Sequence, residues 1–313
     1  NAEQLVDFSI FKRSYDARKK GQILLIYQVD AVLTEGAEAT VLAISPSLPR
    51  VNPSPDTNYK FVAQACADFP AANQQRPIII GFGPCGILAA LVLAQMGLKP
   101  IVVERGQEVR QRTQDTWGFW RKRNLNAESN VQFGEGGAGT FSDGKLWSQV
   151  KDRRHLGRKV LNEFVIAGAP EEILTDSRPH IGTFKLVSMV ENMRAEIIRL
   201  GGEIRFDQKV ERVLREDGAE NAKSQITGIS LSNGDTLCSR HIILAIGHSA
   251  RDSFQMLLDH GIHIEAKPFS IGYRIEHPQS TIDKARFGAQ AGHPILGAAE
   301  YKLVHHCKSG RSV

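Results

Sequence analysis

The chain has 313 residues, 42% hydrophobic and 23% charged, with 39 basic against 34 acidic side chains for a formal net charge of +5. That length can bury a full α/β core and divides into two or three lobes at roughly 150 residues per domain. The charge is spread along the chain, not gathered in a tail or on one helical face, which argues against nucleic-acid and membrane binding. No window of 18 apolar residues occurs, and no basic lead precedes an apolar core at the N-terminus. The expectation is a cytoplasmic protein without membrane span or signal peptide. Cys66, Cys85, Cys238 and Cys307 form no C-x-x-C pair, which removes a zinc knuckle and a dithiol redox centre. Isolated thiols suit a reducing compartment.

Up to residue 44 the sequence reads as a small α/β piece, with "QILLIYQVDAVL" and "ATVLAI" both β-rich. Residues 45–58 hold four prolines in 14 positions, the composition of an extended connector, and a short helix is expected around Tyr59 to Phe69. Ile78 to Ile80 predicts a strand, Pro84 to about Met96 a helix ended by Gly97, and "KPIVVE" a second strand. "LVSMVENMRAEIIRL" predicts an amphipathic helix closed by Gly201 and Gly202. The segments "EIRF", "KVERVLRE", "QITGISLS" and "TLCSRHIILAIG" follow as strands, with a hairpin turn at Ser232 to Asp235. "RDSFQMLLDHG" reads as a helix and "HIEAKPFSIGYRIEH" as one or two strands of a separate sheet.

The chemistry starts in the first βαβ unit. Gly81 allows a tight turn out of the strand, Gly83 has no side chain to block a pyrophosphate, and Gly86 lets the helix sit close to the sheet. Phosphates there meet free amides and the positive end of a helix, beside Pro84 and Cys85. Glu104 ends the second strand eighteen positions after Gly86, where a carboxylate accepts the hydroxyls of an adenosine ribose. The pattern has its strand, helix and acid, so it predicts a dinucleotide site. The acid disfavours NADP there through like-charge repulsion.

FAD, not NAD, is the sharper expectation. An NAD dehydrogenase continues with a second mononucleotide half, yet residues 105–150 show no further strand, helix and glycine alternation. They carry instead five glycines, at 134, 136, 137, 139 and 144, a run that offers amides without bulk to a phosphate or a flat ring. "HIILAIG" leaves Gly247 at the carboxyl edge of the sheet, where open α/β sheets bind ligands.

The glycine motif with Glu104, "GGAGTFSDGKL" at 136–146, "GAPEEIL" at 168–174, "PHIGTFKL" at 179–186, "AIGHSARD" at 245–252 and "KPFSIGYRIEHPQ" at 267–279 together resemble a family of bacterial FAD-dependent dehydrogenase-like proteins. More distantly they resemble the glutathione-reductase-type FAD superfamily, with its aromatic hydroxylases and geranylgeranyl reductases. The resemblance implies an α/β fold: a Rossmann-like FAD/NAD(P)-binding domain, an inserted α+β second domain and a small N-terminal α/β domain. Its expected boundaries are 1–58 for the N-terminal domain and linker, 59–150 for the first part of the FAD domain, 151–200 for a helical segment, 201–260 for the FAD domain again and 261–313 for part of the second domain. It also implies that Gly81, Gly83 and Gly86 hold the pyrophosphate and Glu104, with Arg105 beside it, the ribose. Val210 would present backbone to adenine, and Gly136, Gly137, Ala138, Gly139 and Thr140 would pass the pyrophosphate and flavin. Such proteins continue past this endpoint, so the expectation is that a C-terminal segment of the family is missing here.

Candidate basic groups for reduced-flavin charge are Lys145, His248 and Arg251, with Arg18 a further one, each equally readable as structural or surface. Ser142 and Asp143 are equally turn chemistry, while Arg274 and His277 are weaker candidates for a substrate pocket. The expected function is an FAD-dependent dehydrogenase or reductase that moves a hydride between an organic small-molecule substrate and noncovalent FAD, with NAD(P)H a candidate transient reductant. A flavin monooxygenase and a non-catalytic flavin-binding protein stay open as alternatives. No metal site is expected, since His305 and His306 are adjacent and lack a placed carboxylate.

Overall fold

The computed structural model describes all residues except 1, 20, 45–49, 147–149, 217–223, 268–274, 302–303 and 311–313. Two units emerge: Asn1–Ser54 with Thr175–Ser177 and Glu265–Val313, and Pro55–Leu174 with Arg178–Ile264. The two end segments of the chain therefore share one unit.

In that end-segment unit, β1 (Leu5–Asp16) and β2 (Leu24–Leu33) pair antiparallel, with irregular register between Leu5 and Asp7 and between Ile10 and Lys12. The "ATVLAI" stretch is not β structure but most of helix α1 (Ala37–Ile44). Ala37, Glu38 and Ala39 are strong helix formers, and they outweigh the β-branched pair Thr40 and Val41. A small core forms where Phe287, wholly buried at the end of a helix over Gln279–Phe287, meets Leu296 and Ala299. Tyr15 packs its ring edge-on to Phe287 at 5.5 Å between centroids. Of the expected strands in "HIEAKPFSIGYRIEH", residues 268–274 lie outside the described residues, and the flanks 263–267 and 275–277 form none.

The larger unit is a mixed α/β fold with a Rossmann-like arrangement. Its parallel sheet contains β3 (Ile78–Ile80), β4 (Ile101–Val103), β5 (Glu203–Arg205) and β9 (Ile242–Leu244), in the order β5-β4-β3-β9. An antiparallel sheet of β6 (Val210–Glu216), β7 (Gln225–Leu231) and β8 (Thr236–Cys238) accompanies it. All three residues of β3 are buried, as expected of a parallel strand covered on both faces. Ile79 faces one core with Leu91, Met193 and Ile197. Ile78 and Ile80 face the other with Val210, Ile229 and Leu231.

Helix α2 (Pro84–Gln95) starts on Pro84 and stops where Gly97, at φ +77°, lets its N–H reach Ala94 O while Leu98 N–H reaches Leu93 O. That closing pair of bonds satisfies carbonyls the helix leaves bare. Helix α5 (Thr183–Arg199) closes the same way, through Gly201 to Ile198 O and Gly202 to Ile197 O. Helices α3 (Val109–Lys122), α4 (Leu156–Ile166) and α6 (Arg251–Asp259) complete the unit. The helix expected at Tyr59 to Phe69 is absent. Part of its backbone bonds elsewhere instead, with Ala65 N–H donating to Met96 O at 2.8 Å, at the C-cap of α2.

Candidate functional site

A cavity of about 550 Å³ opens at the carboxyl ends of β3 and β9. These are the first and fourth strands of the parallel sheet, so the cavity lies where the strand order reverses, the usual ligand crevice of such sheets. Gly81, Gly83, Pro84 and Cys85 form one wall, Gly134, Gly137, Ala138 and Gly139 a second, and Gly247 with His248 a third. Val210, Glu104 and Arg105 also line it.

The glycines of the first turn do different jobs. A Cβ on Gly86 would lie 1.9 Å from Gly81 O, so that glycine is demanded by close packing of α2 on the turn. On Gly83 a Cβ would meet Gly137 Cα and N at an ordinary 3.6 and 4.0 Å, and the residue has extended backbone. Nothing in the protein requires a glycine there, whereas a ligand lying against the start of α2 would. The amides of Cys85 and Gly86, in the first turn of a twelve-residue helix, have no intrahelical acceptor. The cavity therefore fits a phosphate-bearing group.

Glu104 is 5% exposed and its carboxylate is already engaged. Oε2 accepts Phe82 N–H at 2.7 Å, and Oε1 accepts Gly106 N–H at 2.9 Å and Gly134 N–H at 3.0 Å. The acid thus ties the end of β4 to the first turn and to the glycine loop. A carboxylate offers about four lone-pair sites, and three are taken, which leaves one for a further donor at Oε2. Arg105 makes a two-pronged bond to Asp252, both prongs at 2.9 Å, and a third to Glu128 at 2.5 Å, with its Cζ 4.2 Å above the Phe133 ring. Burial works against its charge, but these hydrogen bonds outweigh burial and push its pKa above the ordinary value. Lys209 joins the group 2.8 Å from Asp252. The hydrogen bond from Arg105 holds the Asp252 carboxyl well below the usual range.

Not all expected residues share the cavity wall. Gly136 and Thr140 sit behind the glycine loop, where Thr140 Oγ1 fills the space a Cβ on Gly136 would take. Arg251 is exposed at the start of α6, outside the wall. Lys145 lies 3.7 Å from Asp143, and its backbone pairs antiparallel with that of His180, also away from the wall. Ser142 Oγ donates to Gly139 O at 2.6 Å and accepts Gly144 N–H, which is turn chemistry. Arg18 pairs with Asp16, and His277 neighbours Tyr301, both in the end-segment unit. Arg274 lies outside the described residues. Among the described residues no cluster of His, Cys, Asp and Glu could hold a metal ion, and no helix is long and apolar enough to cross a membrane.

Two groups at the site went unread in the sequence. Arg112 on α3 is wholly buried, and its described side-chain hydrogen bonds all go to residues 130–140, the approach to the glycine loop and its first part. Burial lowers its pKa to about 10, opposed by the charges of Glu104 and Glu135, so it stays charged at neutral pH. Glu135, also wholly buried, accepts the N–H of Val109 at the start of α3 at 2.8 Å and lies 3.3 Å from Arg194. Burial raises its pKa.

Residues 268–313 match the family described as FAD-dependent protein, C-terminal domain-like. An uncharacterised protein of Clostridium beijerinckii is 42% identical over 305 residues, covering 97% of this chain. The chain spans 54% of that relative's length. Among solved structures, THI4 of Thermovibrio ammonificans aligns over 72% of this chain and 70% of its own at 16% identity, with a TM-score of 0.41. The 3-ketosteroid-delta4-(5alpha)-dehydrogenase of Rhodococcus jostii aligns over 63% and 51% at 13% identity, with a TM-score of 0.36. PqsL of P. aeruginosa aligns over 63% and 48% at 17% identity, with a TM-score of 0.37. Likenesses of this size add nothing to the fold described above.

Proposed function

We propose that this chain carries the dinucleotide half of an FAD-dependent oxidoreductase, a dehydrogenase or reductase acting on an organic small molecule. The observation that carries the reading is the cavity at the ends of β3 and β9, with Gly83 kept as glycine where packing does not ask for it. The match of residues 268–313 to a family of FAD-dependent proteins supports FAD over other dinucleotides.

In this reading the amides of Cys85 and Gly86, with those of Ala138 and Gly139, hold the pyrophosphate. Glu104 Oε2 accepts a ribose hydroxyl, and Val210 sets the adenine end. Bound flavin supplies the two-electron chemistry, and the protein supplies placement and local charge. His248 is the imidazole on the wall among the described residues, and it is the group placed to hold or release a proton there. Lys145 and Arg251, outside the wall, are left to surface roles. NAD(P)H enters only as a transient reductant.

A visible spectrum of the purified protein, followed by acid release and mass analysis of the ligand, tests the assignment. Recovery of FAD is expected. NAD alone, or no nucleotide bound even when FAD is added in excess, would remove it. Anaerobic photoreduction, with reoxidation by oxygen compared against organic acceptors, separates a reductase from a monooxygenase.

A further inference from the structure

We propose that Arg112 is the positioning residue of the phosphate-binding glycine loop, acting from behind the loop without touching the ligand. The inference rests on the dinucleotide reading of the cavity. Arg112 is absent from the cavity wall, yet its guanidinium is spent on the loop that forms it. Nε donates to Asn130 O at 2.8 Å, Nη2 to Val131 O at 2.8 Å, and Nη1 to Glu135 O at 2.6 Å and Gly137 O at 2.8 Å, with Thr140 Oγ1 at 3.4 Å. The Phe141 ring lies 4.8 Å from its Cζ. Every one of these acceptors is neutral. A guanidinium with its donors in a fixed planar fork sets the directions of several carbonyls at once, which an ammonium does not.

The orientation of the peptide planes follows. In a trans peptide the C=O and the next N–H point in opposite directions. With Glu135 O held by Arg112, Gly136 N–H points away and donates to Phe82 O at 2.9 Å in the first turn. With Gly137 O held by the same nitrogen, Ala138 N–H is turned away from Arg112, on the stretch where Gly137, Ala138 and Gly139 line the cavity. Gly134 records the same constraint: its φ is +119° and a Cβ there would lie 2.4 Å from Arg112 Cδ.

The test is calorimetric titration of nucleotide-free wild type and Arg112→Lys with ADP and with adenosine. The expected result is a loss of at least about tenfold in ADP affinity with adenosine affinity within about twofold, since only ADP reports on the diphosphate. A lysine variant that keeps ADP affinity, or loses both ligands equally, overturns the proposal and leaves Arg112 a core-stabilising residue. Should Arg112→Lys not fold in plain buffer, both titrations are repeated on wild type and variant with trimethylamine N-oxide, which favours the compact state, and the same ADP-selective loss is expected, equal or absent losses again overturning it. Wild type that binds neither ligand overturns the dinucleotide reading itself, and this inference with it.

Discussion

Oε1 of Glu104 accepts the backbone N–H of Gly134 at 3.0 Å, thirty residues further along the chain. The acid at the end of β4 is therefore a joint between two walls of the cavity as well as a candidate ribose ligand. Glu104→Gln should show it, because an amide nitrogen placed at either oxygen would face a backbone N–H. We expect a loss of about 1–3 kcal/mol in stability, read from urea unfolding, together with weaker ADP binding. A side chain that served only the ribose would leave the unfolding midpoint in place.

The two glycines Gly83 and Gly86 should separate packing from binding. Gly86→Ala drives a Cβ to within 1.9 Å of a backbone oxygen, and overpacking of that kind costs at least about 1–3 kcal/mol. Gly83→Ala meets only ordinary contact, so its stability should stay within about 0.5 kcal/mol of wild type. Its ADP affinity, in contrast, should fall by about tenfold or more. Thermal unfolding and ADP titration of both variants decide the point, and equal effects in both assays would contradict it.

Acid should loosen the charged group around Asp252. Its folded-state pKa is depressed by the Arg105 hydrogen bond, so the unfolded chain binds the proton more readily. The stabilisation is complete above the ordinary aspartate value of about 4 and is lost as pH falls through the folded value. Asp252→Asn lacks this contribution. Urea unfolding from pH 7 to pH 3 should show the gap between wild type and variant narrowing as acid is added. Added salt should narrow it too, because the carboxylate is partly exposed.

What the sequence made legible was what repeats locally. The β3 strand, helix α2 with its Gly97 stop and the acid of β4 all follow from neighbouring residues, as does the turn over Ser232 to Asp235. Helix α3 did not, and its buried positions explain why: Val109, Arg112 and Thr116 face inward at helical spacing, but two of the three are polar. An arginine that bonds loop carbonyls leaves no apolar period to read. The Arg105, Glu128, Lys209 and Asp252 group was hidden for another reason, since its members are scattered from residue 105 to residue 252 and only the tertiary fold collects them. Strand β1 was missed because its partner β2, not its own pattern of exposed and half-buried positions, defines it.

The pairing of Ile78 with Ile242 has a consequence for assembly. Closing so long a loop has an entropic cost that grows with its length, and parallel pairing between distant strands is intrinsically slow to form. The turn at Gly81 and the start of α2 can take shape early, from contacts close in sequence. The wall at Gly247 arrives only when β9 docks beside β3. A growing polypeptide therefore presents an incomplete cavity until the chain has been made as far as Leu257, and on the function proposed above, nucleotide capture would follow the docking of the fourth strand.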